Sequence, residues 1–464
     1  MSDTALFAAD ALLPAGWMRN VVLRWNDAGT FTQIEPSTDA PPQGMRTAAG
    51  PVIPAMPNLH SHAFQRAFAG LTEFRSADQQ DSFWSWRTLM YRFASRLGPQ
   101  QVEAIATWLY VEMLEAGYGS VCEFHYLHHA PDGTPYADDA ELAHALLRAA
   151  QAAGIGITLL PVLYQTSGFG AKPPGEGQRR FIRSTDSMLR LLERLKPICE
   201  AQNARLGLAP HSLRAVPPDA LRDALAGLAA LDATAPIHIH VAEQTQEVDD
   251  CVRWSGQRPV AWLLDHAPVD ARWCLVHATH VDAAEAERGA RSGAVAGLCP
   301  TTEANLGDGL FDFAHWREAG GAWGIGSDSH VCVNAAEELM LLEYGQRLLT
   351  RQRNVGVTTA QPNVATALTL AALQGGAQAS GRAVGGLTAG QRADFVELDA
   401  QHVALRELPA PAMLAAHVFA SQRSSAIGSV HIGGQLRVNA GKHPLHDEAG
   451  ARFVAARTTL LKAE

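Results

Sequence analysis

The stretch that reads PIHIHVAEQTQEVDDCVRWSGQRPVAWLLDHAPVDARWCLVHATH, residues 236–280, decides the fold. It opens with one short apolar run, PIHIHV, and closes with another, WCLVH. Between them lies a longer stretch that includes VAWLLDHA and carries apolar residues at helical spacing. A strand, a helix and a second strand in this order predict a parallel β-sheet with a helical crossover.

The same alternation recurs from about residue 50 to residue 327. The apolar runs are PVIPAMPNL (51–59), SVCEF (120–124), IGITLLPVLY (155–164), RLGLAP (205–210), PIHIHV (236–241), WCLVH (273–277), AVAGLC (294–299) and AWGIGS (322–327). Eight strand–helix units predict an α/β protein with a closed (β/α)8 barrel of TIM type. The alternative is an open doubly wound sheet, which favours a Gly-rich turn after its first strand, whereas residues 60–68 read HSHAFQRAF.

Both ends of the chain lack this alternation. Residues 1–50 and 385–464 contain short β-like runs instead, such as NVVLRW, ADFVELD and AIGSVHIGGQLRVN. We therefore predict that 1–50 and 385–464 form one small, β-sandwich-like domain and that 51–384 form the barrel.

Composition limits the classes of partner. The 464 residues carry 37 Lys and Arg against 47 Asp and Glu, a formal charge of −10, with no basic block. Nucleic acid and anionic lipid are therefore not expected as partners, and a small-molecule substrate is. No apolar run is long enough to span a bilayer. Six cysteines without a C-x-x-C pair, and an N-terminus without a basic region, predict free thiols and a cytoplasmic protein.

Polar residues at the carboxyl ends of barrel strands are the candidates for chemistry. They are His60 and His62 after the first run, His240 in the fifth, His277 in the sixth and Asp328 after the eighth. Imidazole and carboxylate are ligands that Zn²⁺, Fe²⁺ and Mn²⁺ accept, and a catalytic site keeps one position for water. The sequence thus predicts a metal site. His238 lies one layer deeper on the same face as His240 and is predicted to be a hydrogen-bonded core residue.

An H-x-H after the first strand, single histidines at strands five and six, an aspartate at strand eight and a split β domain resemble the amidohydrolase superfamily. The resemblance implies that His60, His62, His240 and Asp328 hold one divalent ion, Zn²⁺ or alternatively Fe²⁺. It also implies that His277 is an electrostatic partner of the catalytic water rather than a ligand. Related enzymes commonly dimerise, so a homodimer is expected.

Members with two metals also need a carboxylated lysine or a glutamate after strand four. The segment RLGLAPHSLRAV (205–216) offers neither, so one metal is expected. Deaminases of the superfamily carry H-x-x-E at strand five, which here is His240 to Glu243 and implies that Glu243 handles the departing nitrogen. CPTTEANLGDGL (299–310) resembles their C-P-x-S-N-x-x-L segment, but Thr302 and Glu303 depart from it, which disfavours a purine or triazine substrate.

Longer stretches resemble one branch of the superfamily, the enzymes that hydrolyse N-formimino-L-glutamate to N-formyl-L-glutamate and ammonia during histidine degradation. They are MPNLHSHAFQRAFAGLTE (56–73), DSFWSWRTLMYRF (81–93), SVCEFHYLHH (120–129), LAPHSLRAV (208–216) and GLCPTTEANLGDG (297–309). In the mechanism that this resemblance implies, Asp328 accepts a proton from water and Glu243 protonates the leaving nitrogen.

A dicarboxylate substrate requires fixed cations, and arginine suits a bidentate contact with a carboxylate. Arg87 and Arg214, in predicted loops at the barrel mouth, are the candidates. Neutral donors expected to contact substrate are Gln65, Tyr126 and His211. Trp84 and Trp86 are predicted to pack inside their loop rather than to line the pocket.

Two alternatives remain at this point. A mononuclear aminohydrolase acting on a heterocycle such as guanine or cytosine predicts stacking aromatic side chains and neutral amide donors. A barrel that has become a non-catalytic scaffold predicts the loss of one or more metal ligands, yet the full ligand set is present.

Overall fold

The computed structural model describes residues 4–36, 40–74, 83–421 and 424–462. Its strands are β1 (Thr4–Leu13), β2 (Gly16–Trp25), β3 (Phe31–Glu35), β4 (Arg46–Thr47), β5 (Val52–Pro54), β6 (Met56–Ser61), β7 (Tyr118–His125), β8 (Gly156–Leu163), β9 (Arg205–Leu206), β10 (Ala209–Pro210), β11 (Ile237–Val241), β12 (Trp273–His277), β13 (Val295–Leu298), β14 (Ala322–Ile325), β15 (Phe395–Leu398), β16 (Ile427–Ile432) and β17 (Gln435–Asn439).

The α-helices of these residues are α1 (Phe83–Ala94), α2 (Pro99–Glu115), α3 (Glu141–Ala153), α4 (Thr185–Ala201), α5 (Pro218–Leu231), α6 (Thr245–Ser255), α7 (Pro259–His266), α8 (Ala283–Arg291), α9 (Pro300–Leu306), α10 (Phe313–Glu318), α11 (Ala335–Thr350), α12 (Val364–Ser380), α13 (Ala410–Ala420) and α14 (His446–Lys462). Short 3-10 helices span Ala63–Phe68 and Glu176–Gln178.

The barrel consists of two parallel sheets that meet at both edges. One sheet contains β6, β7, β8 and the short strands β9 and β10, and the other contains β11 to β14. A bridge from Leu208 to Ile237 joins them on one side, and a bridge from Ser61 to Asp328 joins them on the other. The predicted (β/α)8 barrel is therefore confirmed, and the open doubly wound alternative is wrong because both edges are paired.

The fourth barrel strand, predicted as one run over 205–210, is divided into β9 and β10. Leu208, between them, pairs with Ile237 of the next strand instead of with β8. The backbones approach closely here, since a Cβ on Gly207 would lie 2.5 Å from the carbonyl oxygen of Pro236. Glycine therefore allows the chain to change partners at this point.

An eight-stranded sheet contains strands from both ends of the chain, in the order β17-β16-β15-β5-β1-β2-β3 with β4 paired to β1. The rings of Trp25, Phe31 and Phe395 pack in its core with centroids 5.6 to 6.4 Å apart. The predicted β domain from both termini is thus present. Its boundaries at residues 50 and 385 stay a prediction, and β5 lies just inside the range assigned to the barrel.

Helices also occur in the C-terminal range. α14 packs on α2 of the barrel, where the rings of Trp108 and Phe453 stack at 6.2 Å. Across the described residues, none of the helices is both long and apolar enough to cross a bilayer. All six cysteines are free thiols, and five of them are buried.

Candidate metal centre and substrate cavity

Three imidazoles converge at the carboxyl end of the barrel strands. His60 lies in β6, His62 directly follows it, and His240 lies in β11. The Nε2 atom of His60 is 3.1 Å from Nε2 of His62 and 3.0 Å from Nε2 of His240. Asp328, in the turn after β14, places Oδ1 3.4 Å from Nε2 of both His60 and His62. All four side chains are buried.

The tautomers of two imidazoles follow from their other contacts. Nδ1 of His62 donates to the carbonyl oxygen of Phe124 at 3.0 Å, and Nδ1 of His240 donates to that of His211 at 3.2 Å. Because a carbonyl oxygen only accepts, both neutral rings carry their proton on Nδ1. Their Nε2 lone pairs therefore face the cluster, as metal ligands require.

The donor set fits one divalent ion. Imidazole lone pairs and a carboxylate oxygen face one another, and a cation at their centre removes the mutual repulsion. Zinc bonds of about 2.0–2.1 Å place neighbouring donors of a tetrahedral site roughly 3.3 Å apart. The observed separations of 3.0 to 3.4 Å match that spacing. His277 lies at the edge of the centre, since its ligand atom and those of His60 and Asp328 are within 4.8 Å of one another.

Burial keeps the ligands in their metal-binding forms. It lowers the pKa of His60 to about 3 and also lowers the pKa values of His62 and His240, so the imidazoles are neutral. Burial alone would raise the pKa of Asp328. Its contact with His60 and the nearby His277 hold that pKa below its usual range, so the carboxyl group is ionised.

The turns that carry the site have an uncommon backbone conformation. Ala242, His277 and Asp328 have φ angles of 53°, 65° and 45°, in the left-handed region that side chains disfavour. Barrel closure holds the turn at Asp328, because its N–H donates to the oxygen of His60 at 3.0 Å and its oxygen accepts from the N–H of His62 at 3.2 Å. The strained backbone conformations therefore occur at residues of the candidate site itself or directly beside them.

Two glutamates contact the two ring nitrogens of His277. Nε2 is 3.9 Å from Oε1 of Glu243, and Nδ1 is 3.3 Å from Oε1 of Glu303. Burial raises the pKa of Glu243 to about 7. Burial alone would lower the pKa of His277, but Glu243, Glu303 and Asp328 together raise it to about 10. A protonated imidazole therefore lies beside an acid that exchanges its proton near neutral pH.

Glu303 is a contact that the sequence did not predict. In the sequence, Glu303 stands out only because it differs from the residue expected in the deaminase segment. In the structure Oε1 also accepts from the N–H of Cys299 at 2.9 Å, which holds the carboxylate at the start of α9. The fixed carboxylate orients His277. The sequence could have indicated Glu303 by its position in the first turn of a helix that begins with Pro300, because acidic side chains there cap free N–H groups.

Glu247 of α6 links the Glu243 turn to Arg214. Its two carboxylate oxygens accept from the N–H groups of Ala242 and Glu243, each at 3.3 Å, and one of them lies 3.7 Å from Nη2 of Arg214. Burial alone would lower the pKa of Arg214, but Glu247 and Glu243 raise it. The buried Nε of Arg214 has no acceptor among the residues that the structure describes. Arg214 is therefore a charged, incompletely paired group beside the turn that carries Glu243.

A cavity of about 60 Å³ leads to the metal centre. The predicted site residues that line it are His62, Gln65, Arg87, Tyr126, His211, Arg214, His240, Glu243, His277 and Asp328. His60 lies behind them and is fully buried. Side chains that the sequence analysis did not select also line it: Met90, Tyr91, Tyr164, Phe181 and Leu306. Tyr164 directly follows β8, so the strand-end criterion could have found it.

The neutral donors of the wall are paired with one another or with nearby groups. Nε2 of Gln65 donates to Oη of Tyr126 at 2.9 Å, and Nδ1 of His211 is 3.1 Å from Oγ of Ser212. Burial lowers the pKa of His211, so its ring is neutral. His238, predicted to be a core residue, lies below the site with Nε2 2.8 Å from the oxygen of Ala379.

The segment around Arg87 differs in form from the predicted loop, because it is the helix α1. The guanidinium carbon of Arg87 lies 5.5 Å from the ring centroid of Tyr91, one turn further along that helix. Trp86 both packs on Phe68, with centroids 5.9 Å apart, and lines the cavity. The side chain of Trp84 lies outside the described residues.

The chain matches the amidohydrolase family over residues 52–437. It is 51% identical over 458 residues to the formimidoylglutamate deiminase of Pseudomonas aeruginosa, covering 99% of this chain and 100% of that protein. The crystal structure of an amidohydrolase from Brucella melitensis superimposes with a TM-score of 0.93 at 47% identity, over 99% of this chain and 100% of that one. A zinc-bound adenosine deaminase from Xanthomonas campestris shares the fold, with a TM-score of 0.78 at 20% identity over 99% of both chains.

The family match covers the barrel and the strands β5, β15 and β16 of the terminal sheet, and the similarity to the Pseudomonas aeruginosa protein covers 99% of this chain. Together with the buried cluster of His60, His62, His240 and Asp328, it confirms the resemblance inferred from the sequence and a site for a divalent metal. The chain belongs to the amidohydrolase family.

Proposed function

We propose that the protein hydrolyses N-formimino-L-glutamate to N-formyl-L-glutamate and ammonia. Water adds to the formimino carbon, and the bond from that carbon to the terminal nitrogen then breaks. Oxygen replaces nitrogen on the carbon, and the glutamate nitrogen keeps its bond to it. The identity of 51% to formimidoylglutamate deiminase over essentially the whole chain supports this substrate.

The observation that carries the proposal is the position of Arg214. Its guanidinium lines the same cavity as the metal centre and is largely buried, and among the described residues its one ion-pair partner is Glu247, at 3.7 Å. A buried cation without full pairing is costly, and a substrate carboxylate supplies the missing acceptor. Arg87, from helix α1, lines the same cavity. Two arginines in one cavity suit a dicarboxylate better than a neutral ring.

A divalent ion held by His60, His62, His240 and Asp328 would lower the pKa of a bound water from 15.7 toward about 7 and so provide a nucleophile at neutral pH. The two carboxylate oxygens of Asp328 have different neighbours. Oδ1 faces His60 and His62, whereas Oδ2 lies 3.7 Å from Nε2 of His277. We assign Oδ1 to metal binding and Oδ2 to accepting the proton of the attacking water. His277, protonated and held by Glu303, stabilises negative charge that develops on the attacking oxygen.

Glu243 delivers the proton to the departing nitrogen. With a pKa of about 7 it is populated in both forms at neutral pH, which suits an acid that must be recharged in each turnover. Its ionised form also pairs with a cationic amidine before reaction. The contact of its backbone N–H with Glu247 at 3.3 Å fixes the turn that aims it.

The proposal also includes the identity of the metal, the oligomeric state and the location of the protein. We propose Zn²⁺ as the metal, because three imidazoles and one carboxylate form a donor set that zinc accepts, with Fe²⁺ as the alternative. A homodimer and a cytoplasmic location complete the proposal.

An ammonia-release assay on the holoenzyme tests the function. N-formimino-L-glutamate, N-formimino-L-aspartate and guanine are compared at equal concentration. We expect the highest kcat/KM for formimino-glutamate and a lower one for the shorter dicarboxylate, because the arginines are fixed at one separation. Faster turnover of guanine would assign the protein to the heterocycle aminohydrolases, whose stacking requirement the aromatic wall could also serve.

A further inference from the structure

A second cavity lies at the other end of the barrel, between the amino ends of its strands and the terminal sheet. It has a volume of about 220 Å³, far above the roughly 10–15 Å³ that one water needs. Its charged lining residues are three arginines, Arg382, Arg392 and Arg437, and one exposed carboxylate, Asp27. We call it the arginine cavity.

The guanidinium groups of the arginine cavity use few of their donors. Arg382 donates to the backbone oxygens of Ile157 and Asn203, each at 3.0 Å. Within the described part of the chain, the side chain of Arg437 donates to Oε1 of Gln435 alone, at 2.7 Å. Among the described residues, Arg392 has no hydrogen-bond acceptor. Each guanidinium carries five N–H groups, so most of the donors remain available.

The negative charge nearby does not balance the cluster. The buried carboxylate of Asp394 has one oxygen 3.7 Å from Nε of Arg392, beyond hydrogen-bond distance. Its other oxygen accepts from the N–H of Gly433 at 2.6 Å. Burial lowers the pKa of Arg382, whereas Asp394 raises it and the neighbouring Arg392 lowers it. Three arginines against Asp27 and Asp394 leave the cluster with an excess of positive charge.

Glycines hold the arginines close to the backbone and leave the space between them open. A Cβ on Gly154 would lie 2.5 Å from Nε of Arg437, and one on Gly433 would lie 2.6 Å from Nη2 of Arg392. Gly154 and Gly433 have positive φ angles of 77° and 56°, so a side chain is disfavoured at both on backbone grounds as well. The three guanidinium groups thus have fixed positions around one space.

We propose that the arginine cavity binds a small oxyanion, a phosphate or a carboxylate, that joins the barrel to the terminal sheet. Planar guanidinium groups match the oxygens of both anions, and three of them from separate segments give a ligand contacts on both sides of the interface. The site is separate from the catalytic cavity, because its residues lie at the opposite ends of the barrel strands. Bound anion therefore stabilises the fold without entering the reaction.

Calorimetric titration of the metal-loaded protein with inorganic phosphate tests this proposal. A parallel titration with glutarate tests a dicarboxylate ligand, and a titration with chloride at the same ionic strength is the control. The double variant Arg392→Met/Arg437→Met should weaken phosphate binding by at least about tenfold, since each removes charge-assisted hydrogen bonds. The exposed Arg222→Met is the matched control and should bind like the parent. Turnover of substrate by the double variant should stay within about twofold of the parent.

Phosphate also has access to the metal centre, so Arg214→Met is titrated in parallel. A loss of phosphate binding in Arg214→Met but not in the double variant would overturn the proposal, as would parental affinity in the double variant or no binding by the parent. If the double variant does not fold, Arg437→Gln replaces it, because Arg437 has a single side-chain partner. A binding preference for glutarate over phosphate in the parent, lost in these variants, identifies the anion as a carboxylate.

Discussion

The metal centre and the side chains proposed to contact the substrate line the same cavity, but they are carried by different kinds of segment. The ligands His60, His240 and Asp328 lie in barrel strands or in the turns directly after them, where backbone pairing fixes their positions. The groups expected to hold the substrate lie on a helix, for Arg87, and in a connecting segment, for Arg214. Under the proposed function, the strands position the metal-binding side chains and the connecting segments carry the groups that contact the substrate, as is general for this fold.

The largest expected effect is the loss of the metal centre. His240→Ala removes one of three converging imidazoles and should abolish both metal binding and turnover. His238→Gln is the matched control, because His238 lies two residues earlier on the same strand face and contacts the backbone of Ala379 instead. Metal analysis and ammonia release check both variants. Retention of stoichiometric metal by His240→Ala would mean that the ligand set is wrong.

The second effect separates proton transfer from metal binding. Glu243→Gln keeps the size of the side chain and removes its titrating group, so metal content should persist while kcat falls by about 100-fold or more. Glu247→Gln serves as a comparison, since Glu247 holds the same turn without facing the metal centre. An unchanged kcat in Glu243→Gln excludes it as the proton donor.

Substitution of the two arginines that line the cavity should raise KM rather than lower kcat. Arg87→Met and Arg214→Met each remove a charge-assisted contact of about 1.5–3 kcal/mol, which corresponds to a roughly ten- to two-hundredfold lower kcat/KM. A substrate without the γ-carboxylate should already be poor, and one of the two variants should no longer discriminate against it. Steady-state kinetics on both substrates check this. Parental kinetics in both variants would remove the arginines from substrate recognition.

The last effect concerns stability rather than turnover, at Asp308, which accepts from Nε2 of Gln244. Burial raises the pKa of Asp308 to about 9, far above the usual value of about 3.9. The folded state therefore retains a proton that the unfolded state releases. Its contribution to stability is full below about pH 4 and is lost as pH rises toward about 9.

Asn at position 308 does not titrate, so Asp308→Asn should stabilise the protein more at pH 8 than at pH 5. The difference should grow by at most about 1.4 kcal/mol per pH unit. Urea unfolding of parent and variant at pH 5, 6.5 and 8 measures it. A constant difference across this range would show that Asp308 is ionised in the folded protein.

The sequence predicted the strand-borne half of the site better than the wall. His60, His62, His240, His277 and Asp328 were found because a strand end has a defined place in a barrel. The local pattern places Glu303 in the first turn of α9, but its contact with His277 depends on how that helix packs against the barrel. The helical form of the segment around Arg87 was also missed.

The fold was predicted in class but not in detail. The eight-unit alternation indicated the barrel, whereas the division of the fourth strand depends on Leu208 pairing with Ile237, a contact between distant segments. The arginine cavity was not predicted at all. Its three arginines lie beyond the catalytic barrel range or at its edge in sequence, and only the packing of the terminal sheet against the barrel brings them together.

Product analysis of N-formimino-L-glutamate hydrolysis tests the central claim most directly, because two different bonds to the formimino carbon could break. NMR of the reaction of holoenzyme with ¹³C-labelled formimino group distinguishes the products. If Glu243 protonates the terminal nitrogen, each turnover releases one ammonia and N-formyl-L-glutamate. Release of formamide and glutamate, or no turnover by metal-loaded protein, would contradict the account.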